Sequence, residues 1–128
     1  ADEIIQKIGS KTKVIIVDFH AEATSEKIAM GWYLDGRVSL VAGTHTHVQT
    51  ADEKVLTNGT AYITDIGMTG PSNSVLGIDK NKVINKFITQ IPVRFEVAKG
   101  PAEINGILVD INESTGKAVK IQRIREST

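Results

Sequence analysis

The sequence predicts an α/β fold that ends in an antiparallel β meander. Two continuous apolar runs, at residues 14–17 and 38–42, are typical of strands buried on both faces of a parallel sheet. Each run follows a stretch with helical periodicity, and helix–strand alternation is characteristic of α/β units. In the last third, apolar residues alternate with polar ones, as in half-exposed strands.

Size and composition limit the class of protein. A chain of 128 residues is long enough for one domain with its own core, and 41% hydrophobic residues is ordinary for a globular protein. Fifteen basic residues balance fifteen acidic ones, so nothing in the charge indicates a nucleic-acid or membrane-surface partner. The absence of cysteine excludes disulfides and thiolate metal sites. With no apolar run of about 20 residues and no signal peptide, the expected location is the cytoplasm.

The helical segments come before the apolar runs. Ile4, Ile5 and Ile8 share one face of a first helix, which Gly9 should end. Thr24 is a candidate N-cap for a second helix. The apolar positions of that second helix are Ile28, Ala29, Trp32 and Tyr33.

After residue 50 the pattern changes. Asn58 and Gly59 form a turn signal between residues 54–56 and 61–64, which predicts a hairpin. Residues 67–73 are predicted to be a loop, and Asp79 to cap a third helix that Pro92 ends. Further strands are predicted from the alternating sets Val93, Phe95, Val97 and Ile107, Val109, Ile111, and a turn at 114–116 should lead into a last strand at 118–124.

The three histidines of the chain follow the two apolar runs. His20 ends the segment 14–20, whose first four residues are the apolar run 14–17, and His45 and His47 follow the run at 38–42. Ligand sites in open α/β sheets lie at the carboxyl ends of strands. In an extended segment, residues two apart point to the same side, so His45 and His47 are expected to face one metal or two adjacent metals. Three neutral imidazoles suit Zn, Fe, Mn or similar ions.

Nearby polar residues are candidates for orienting these ligands. Asp18 and Asp65 are expected to hold an imidazole tautomer by hydrogen bonds, and Thr44 and Thr46 to lie behind the ligands or beside a substrate. The alternative interpretation stays open, because a His-x-His pair is more often two unrelated histidines than a metal site. Other chemistry is poorly supported, since residues 67–71 lack the Walker lysine and no serine lies in a nucleophile elbow.

Three longer blocks resemble a known family. They are residues 18–27 (Asp-Phe-His-Ala-Glu-Ala-Thr-Ser-Glu-Lys), 43–52 (Gly-Thr-His-Thr-His-Val-Gln-Thr-Ala-Asp) and 61–70 (Ala-Tyr-Ile-Thr-Asp-Ile-Gly-Met-Thr-Gly). These blocks and their spacing resemble the YmdB-like metallophosphoesterases, of the calcineurin-like phosphoesterase superfamily. The resemblance extends over nearly the whole chain.

The resemblance implies a fold and a site. The family fold is a four-layer α/β/β/α sandwich around a site for two divalent metal ions, which could be Fe, Mn, Zn or Mg. Its members hydrolyse small phosphodiesters, including cyclic nucleotides. By the match, His20 and His45 would bind the second metal, and His47 the first.

The chain departs from the family in one large respect. The family's Gly-Asp, Gly-Glu-Asn and Gly-Asn-His motifs are absent; these supply the other ligands, the bridging carboxylate and the acid that protonates the leaving group. Residues 1–128, which begin with Ala1, therefore resemble the C-terminal part of a single metallophosphoesterase domain. The expected partners are the missing N-terminal half and further copies of the chain, and the isolated chain should be inactive. The alternative is a non-catalytic half-domain that self-associates or binds a single metal.

Overall fold

The computed structural model describes residues 1–127, which form three helices and two β-sheets. The helices are α1 (Asp2–Gly9), α2 (Thr24–Tyr33) and α3 (Lys80–Thr89). The strands are β1 (Ile16–His20), β2 (Leu40–Thr44), β3 (Lys54–Val55), β4 (Ala61–Ile63), β5 (Gly70–Pro71), β6 (Ala102–Asn112) and β7 (Lys117–Ser127). None of the helices in this range combines the length and apolarity needed to cross a membrane.

The two sheets confirm the predicted α/β class. The first has the order β1-β2-β4-β3, in which β1, β2 and β4 are parallel and β3 joins β4 as an antiparallel hairpin strand. The second is the antiparallel meander β5-β6-β7, with a register shift between Asp110 and Ile111. The predicted loop at 67–73 thus contains the short strand β5.

Two separate cores define the layers. One lies between the helices and the first sheet, and Gly31 of α2 approaches β4 so closely that an added Cβ would lie 2.5 Å from the Tyr62 ring. The other lies between the two sheets; its buried members are Leu40, Ala42, Ala61, Ile63 and Ala118. The described residues therefore stack as α/β/β, which matches three layers of the four-layer metallophosphoesterase sandwich.

Strand β1 lies at the free edge of the first sheet, and this corrects one prediction. The apolar run at 14–17 predicted burial on both faces, but Ile16 is 63% exposed and exposure alternates along β1. The prediction is wrong for this part of the chain because Ile16 lies in register with Leu40, on the face toward the second sheet, and the described part of that sheet leaves this face of β1 uncovered. The strand also begins later than predicted, at Ile16, and includes Asp18 and His20.

Residues 93–97 do not form the predicted strand. Within the described residues, only Val97 makes an isolated bridge, to Ile78. The segment instead folds back along α3, where the Lys86 ammonium lies 4.7 Å from the Phe95 ring centroid. Alternation alone predicted a strand, but no neighbouring strand in the described range offers an edge here.

The helix ends agree with the sequence only in part. The Asp79 carboxylate caps α3 by accepting hydrogen bonds from the N–H groups of Asn81 and Lys82, as predicted. The predicted cap of α2 is wrong, because Ala23 occupies the N-cap position and Thr24 is already helical. Helix α3 ends before Pro92, at Thr89.

Candidate metal site

His20 and His45 meet at the carboxyl edge of the parallel sheet. Strand β1 ends at His20, which lies in register with Thr44, the last residue of β2. His45 follows directly, and its Nδ1 lies 3.1 Å from Nε2 of His20. The ring centroids are 5.0 Å apart, with the planes at 78°. The topology therefore brings these two predicted ligands into contact.

The position directly before the histidine loop, Gly43, has no room for a side chain. An added Cβ at this position would lie 1.8 Å from the Thr64 carbonyl oxygen, which no side chain tolerates. The chain just beyond β4 packs directly against β2 here, so any larger residue would push the two segments apart.

The Thr44 hydroxyl connects His20 to Asp18. Its Oγ1 lies 3.2 Å from Oδ1 of Asp18 and 3.2 Å from Nδ1 of His20. A carboxylate only accepts, so the single hydroxyl proton goes to Asp18 and the hydroxyl oxygen must accept from Nδ1–H of His20. This tautomer leaves Nε2 of His20 unprotonated, so its lone pair accepts from Nδ1–H of His45 in this structure and is the lone pair that a metal ligand would use.

The chain turns sharply after Thr44, and this corrects the expectation that residues 45–47 are extended. His45 has a φ of 123° and His47 a φ of 65°, so the segment is not extended and the rule that residues two apart face the same side does not apply. His47 instead lines a cleft with residues of β6 and β7, and no described residue hydrogen-bonds its ring. Positive φ at a non-glycine residue costs about 1–3 kcal/mol, so other contacts must hold this loop.

A buried ion pair holds the loop. The Asp65 carboxylate accepts hydrogen bonds from the N–H groups of Thr46, at 2.8 Å, and Gly67, at 3.0 Å. Nζ of Lys27 lies 3.3 Å from Oδ2 of Asp65 and 3.3 Å from the carbonyl oxygen of Thr44. Lys27 is completely buried and Asp65 is 1% exposed. Asp65 thus fixes the backbone between the two histidines, and it contacts no imidazole in the described part of the chain.

The environment keeps Asp65 ionised. Burial alone raises the pKa of Asp65, but the hydrogen bonds from Gly67 and Thr46 and the contact with Lys27 outweigh it, and its pKa lies below the usual value of 3.8. Sequence reasoning missed Lys27, because a lysine within a helix normally indicates a solvent-exposed position. Its only signal was its place at the end of the first resembling block.

Thr46 contributes its backbone more than its hydroxyl. Its N–H binds Asp65, while its Oγ1 makes a local turn with the backbone of Val48. Of the four supporting candidates, Asp18 and Thr44 therefore reach a histidine, directly or through one hydroxyl, and Asp65 and Thr46 shape the loop.

A second carboxylate, Asp52, binds the segment that follows the histidines to the end of β4. Asp52 accepts hydrogen bonds from the Thr50 hydroxyl, at 2.6 Å, and from the N–H of Thr64, at 3.1 Å. Burial raises the pKa of Asp52, but the bonds from Thr50 and Thr64 outweigh it, and its pKa falls below the usual value of 3.8. The segment after the histidines is thereby tied to the end of β4.

The donor set fits part of a metal site. Two ligands about 2.0–2.1 Å from a tetrahedral ion lie about 3.3–3.4 Å apart, and the 3.1 Å between His20 Nε2 and His45 Nδ1 is close to this. Residues 1–127, however, contain no group of three or more His, Cys, Asp or Glu side chains arranged to hold one ion. Neutral imidazoles also bring no negative charge to offset the repulsion of two adjacent cations. A complete two-metal site would need further ligands from outside this range.

Comparisons with known proteins agree with each other. The model of the YmdB-like protein family matches residues 1–124. A 2′,3′-cyclic-nucleotide 2′-phosphodiesterase of Bacillus subtilis is 58% identical over 124 residues, which are 97% of this chain and 47% of that protein. The chain therefore spans about half the length of this curated relative.

Two crystal structures share the fold. One is of a hypothetical protein from Thermus thermophilus, with a TM-score of 0.88 and 39% identity, over 98% of this chain and 48% of that one. The other is of a novel phosphatase from Mycoplasma pneumoniae, with a TM-score of 0.90 and 42% identity, over 98% of this chain and 44% of that one.

Proposed function

The chain belongs to the YmdB-like protein family, and from that premise we propose that it is the C-terminal part of a metal-dependent phosphodiesterase domain. The family match covers nearly all of it, and one relative carries the name of a cyclic-nucleotide phosphodiesterase. The proposed substrates are small phosphodiesters such as 2′,3′-cyclic nucleotides. The observation that carries the proposal is the contact between His20 and His45, with the Thr44 hydroxyl and Asp18 behind it.

Each histidine has a proposed role. His20 and His45 would hold one ion and His47 a second, as the family resemblance implies. When bound, such ions polarise a phosphodiester and activate water for in-line attack. Thr44 keeps Nε2 of His20 unprotonated, and the Lys27–Asp65 pair holds the loop that carries the other two histidines. The bridging carboxylate and the leaving-group acid would come from the remainder of the domain.

A second candidate is a non-catalytic half-domain that binds one metal or none. The observation that favours it is the absence of any three-residue ligand group within residues 1–127. The two candidates differ in metal content, because a two-metal hydrolase must bind two ions per domain.

The test is a paired assay of this chain alone and of the complete protein that contains it. Both are supplied with Mn²⁺ or Fe²⁺, and turnover of 2′,3′-cyclic AMP and bis-p-nitrophenyl phosphate is measured with metal counted by elemental analysis. We expect two ions and turnover in the complete protein, and neither in the chain alone. A complete protein that binds two ions but hydrolyses neither substrate would refute the phosphodiesterase. Full activity of the chain alone would refute the proposal that the bridging carboxylate and the leaving-group acid come from the remainder of the domain.

A further inference from the structure

A cleft of about 260 Å³ opens beside His47, where the interface between the two sheets ends. Its walls come from the histidine loop, from the segment around β5, and from β6 and β7. The metal-ligand assignment uses only His47 of this cleft and leaves its other walls without a role.

The strands themselves show where packing ends and the cleft begins. Alternate residues of a strand point to the same face, and on the inner face of β6 and β7 the residues packed between the sheets are apolar: Ile107, Val109 and Ile121. The next residues along the same faces line the cleft, and they are polar or charged: Glu103, Asn105, Arg123 and Arg125. The change in residue type on one face indicates a surface built for contact with something other than the first sheet.

Two amide side chains that line the cleft, Gln49 and Asn105, use their nitrogens in hydrogen bonds and leave their oxygens available as acceptors. Nδ2 of Asn105 donates to the Met68 carbonyl, at 2.8 Å, and to Oε1 of Glu103, at 3.0 Å, so both of its protons are used. Nε2 of Gln49 is likewise committed to backbone carbonyls; these belong to Ile66, Gly106 and Ile124. No hydrogen bond from residues 1–127 reaches Oδ1 of Asn105 or Oε1 of Gln49. Since no buried side-chain oxygen in this range lacks a partner, both oxygens are open to solvent.

The charges of the cleft are balanced. Nε of Arg123 lies 2.9 Å from Glu53, and Nε of Arg125 lies 2.8 Å from Glu103. The hydrogen bonds from Arg125 and then Asn105 hold the pKa of Glu103 below its usual range, so this carboxylate stays ionised. Each arginine is therefore neutralised through Nε, and its terminal N–H groups remain as donors. Because these two ion pairs carry no net charge, they match a neutral polar group better than a second phosphate.

Apolar side chains complete the cleft. Val48 is 60% exposed and Leu76 is 49% exposed, and both line the cleft together with Met68. A ligand with apolar faces and a hydrogen-bonding edge would contact both kinds of wall.

We infer that this cleft binds the nucleoside of a nucleotide phosphodiester, with Asn105 Oδ1 and Gln49 Oε1 accepting from an exocyclic amino group of the base. The inference rests on the proposed function, because His47 would place the scissile phosphate at the mouth of the cleft. A heterocyclic base has apolar faces for Leu76 and Met68, and an amino-bearing edge for the two amide oxygens.

The amino group can be tested with a matched pair of substrates. In the complete protein, 2′,3′-cyclic CMP should have a lower KM than 2′,3′-cyclic UMP, because uracil has a carbonyl where cytosine has the amino group. Asn105→Leu removes the acceptor and should lower kcat/KM for cyclic CMP about tenfold relative to kcat/KM for bis-p-nitrophenyl phosphate, which has no nucleoside. The ratio of kcat/KM for cyclic CMP to kcat/KM for cyclic UMP should fall toward one. Gln122→Ala is the control, since this exposed amide lies on β7 outside the cleft.

The outcomes separate this inference from the proposed function. If Asn105→Leu changes kcat/KM equally for all three substrates, or for none of them, the nucleoside subsite is refuted although the enzyme is active. If the protein hydrolyses none of them, the proposed function fails, and calorimetric titration of metal-free protein with cytidine and uridine decides the subsite alone. Tighter binding of cytidine that Asn105→Leu abolishes supports it, and equal binding refutes it.

A second variant guards against misfolding of the first. Leu76→Ala alters only an exposed wall residue, and it should raise the KM of cyclic nucleotides about threefold through lost contact with the base. An unchanged KM in a variant with wild-type melting temperature would count against binding of the nucleoside in this cleft.

Discussion

The Thr44 hydroxyl is a single group on which the chemistry of His20 depends. It accepts from Nδ1–H of His20 and donates to Asp18, and this fixes which ring nitrogen is free. Hydrogen-bonding partners behind metal-bound histidines typically contribute about 10–100-fold in metal affinity.

We therefore expect Thr44→Val to lower metal affinity of the complete protein about 10–100-fold with little change in shape. Valine keeps the branching of threonine but removes the hydroxyl, so His20 loses its partner. Calorimetric metal titration measures the loss, and Thr69→Val, at an exposed threonine, is the control. Equal metal affinity in both variants would show that the Thr44 hydroxyl does not affect metal binding through His20.

His47→Ala should abolish turnover by the complete protein while leaving the fold intact. The ring is exposed and no described residue hydrogen-bonds it, so its removal costs little stability. Its proposed role is to hold one ion, and the count should fall from two ions to one. The check is elemental analysis beside a melting curve, and unchanged turnover with two ions present would refute the role.

At the residue scale, the sequence predicted that His20 and His45 meet, but it did not predict the course of the loop that follows. Three histidines after two apolar runs were enough to predict the contact between His20 and His45. The positive φ values of His45 and His47 could not be predicted, because they depend on Asp65 and Lys27, which reach the loop from the end of β4 and from α2. Tertiary contacts of this kind leave no local pattern in the sequence.

At the scale of elements, two carboxylates hold the loops to the sheet. Asp52 and Asp65 both have a pKa below their usual value of 3.8, so each binds protons less readily in the folded state than in the unfolded state. Their contribution to stability is fully present above about pH 4 and is lost as pH falls through the lower folded pKa.

We predict that Asp65→Asn is less stable than the wild type at pH 7 and that this difference shrinks below pH 4. The change removes the charge that compensates buried Lys27, and breaking a buried pair typically costs about 3–5 kcal/mol. Urea unfolding of both proteins from pH 2 to pH 7 measures it. A difference in unfolding free energy that does not vary with pH would contradict the assignment of this carboxylate.

The elements also show where local patterns suffice. The hairpin around Asn58 and Gly59 and the two long strands of the meander follow from turn signals and alternation, and they were predicted correctly. Residues 93–97 alternate equally well but lack a partner strand among the described residues, so they pack along α3 instead. Periodicity reports which face is apolar, and only the neighbouring elements decide whether a strand forms.

On the scale of the whole molecule, apolar surface remains on several faces. A groove of about 370 Å³ between α1 and β1 includes Ile16 and Phe19. The outer face of the second sheet exposes Ile104 and Leu108 to 52% and 49%. In a four-layer sandwich these faces would be covered by another strand and by the fourth layer. That these faces are covered in a longer domain stays a prediction of the family resemblance, since the apolar runs alone predicted burial.

The last prediction is that the isolated chain self-associates, and that the edge of β1 takes part. An uncovered edge strand offers unpaired N–H and C=O groups, and the exposed Ile16 side chain adds an apolar contact. Ile16→Lys places a charge on that strand and should shift the chain toward monomer. Ile28→Lys on α2, where the side chain is 40% exposed, is the matched control and should have little effect. Sedimentation equilibrium over about a hundredfold concentration range measures the shift, and a wild-type chain that stays a folded monomer throughout would refute the association.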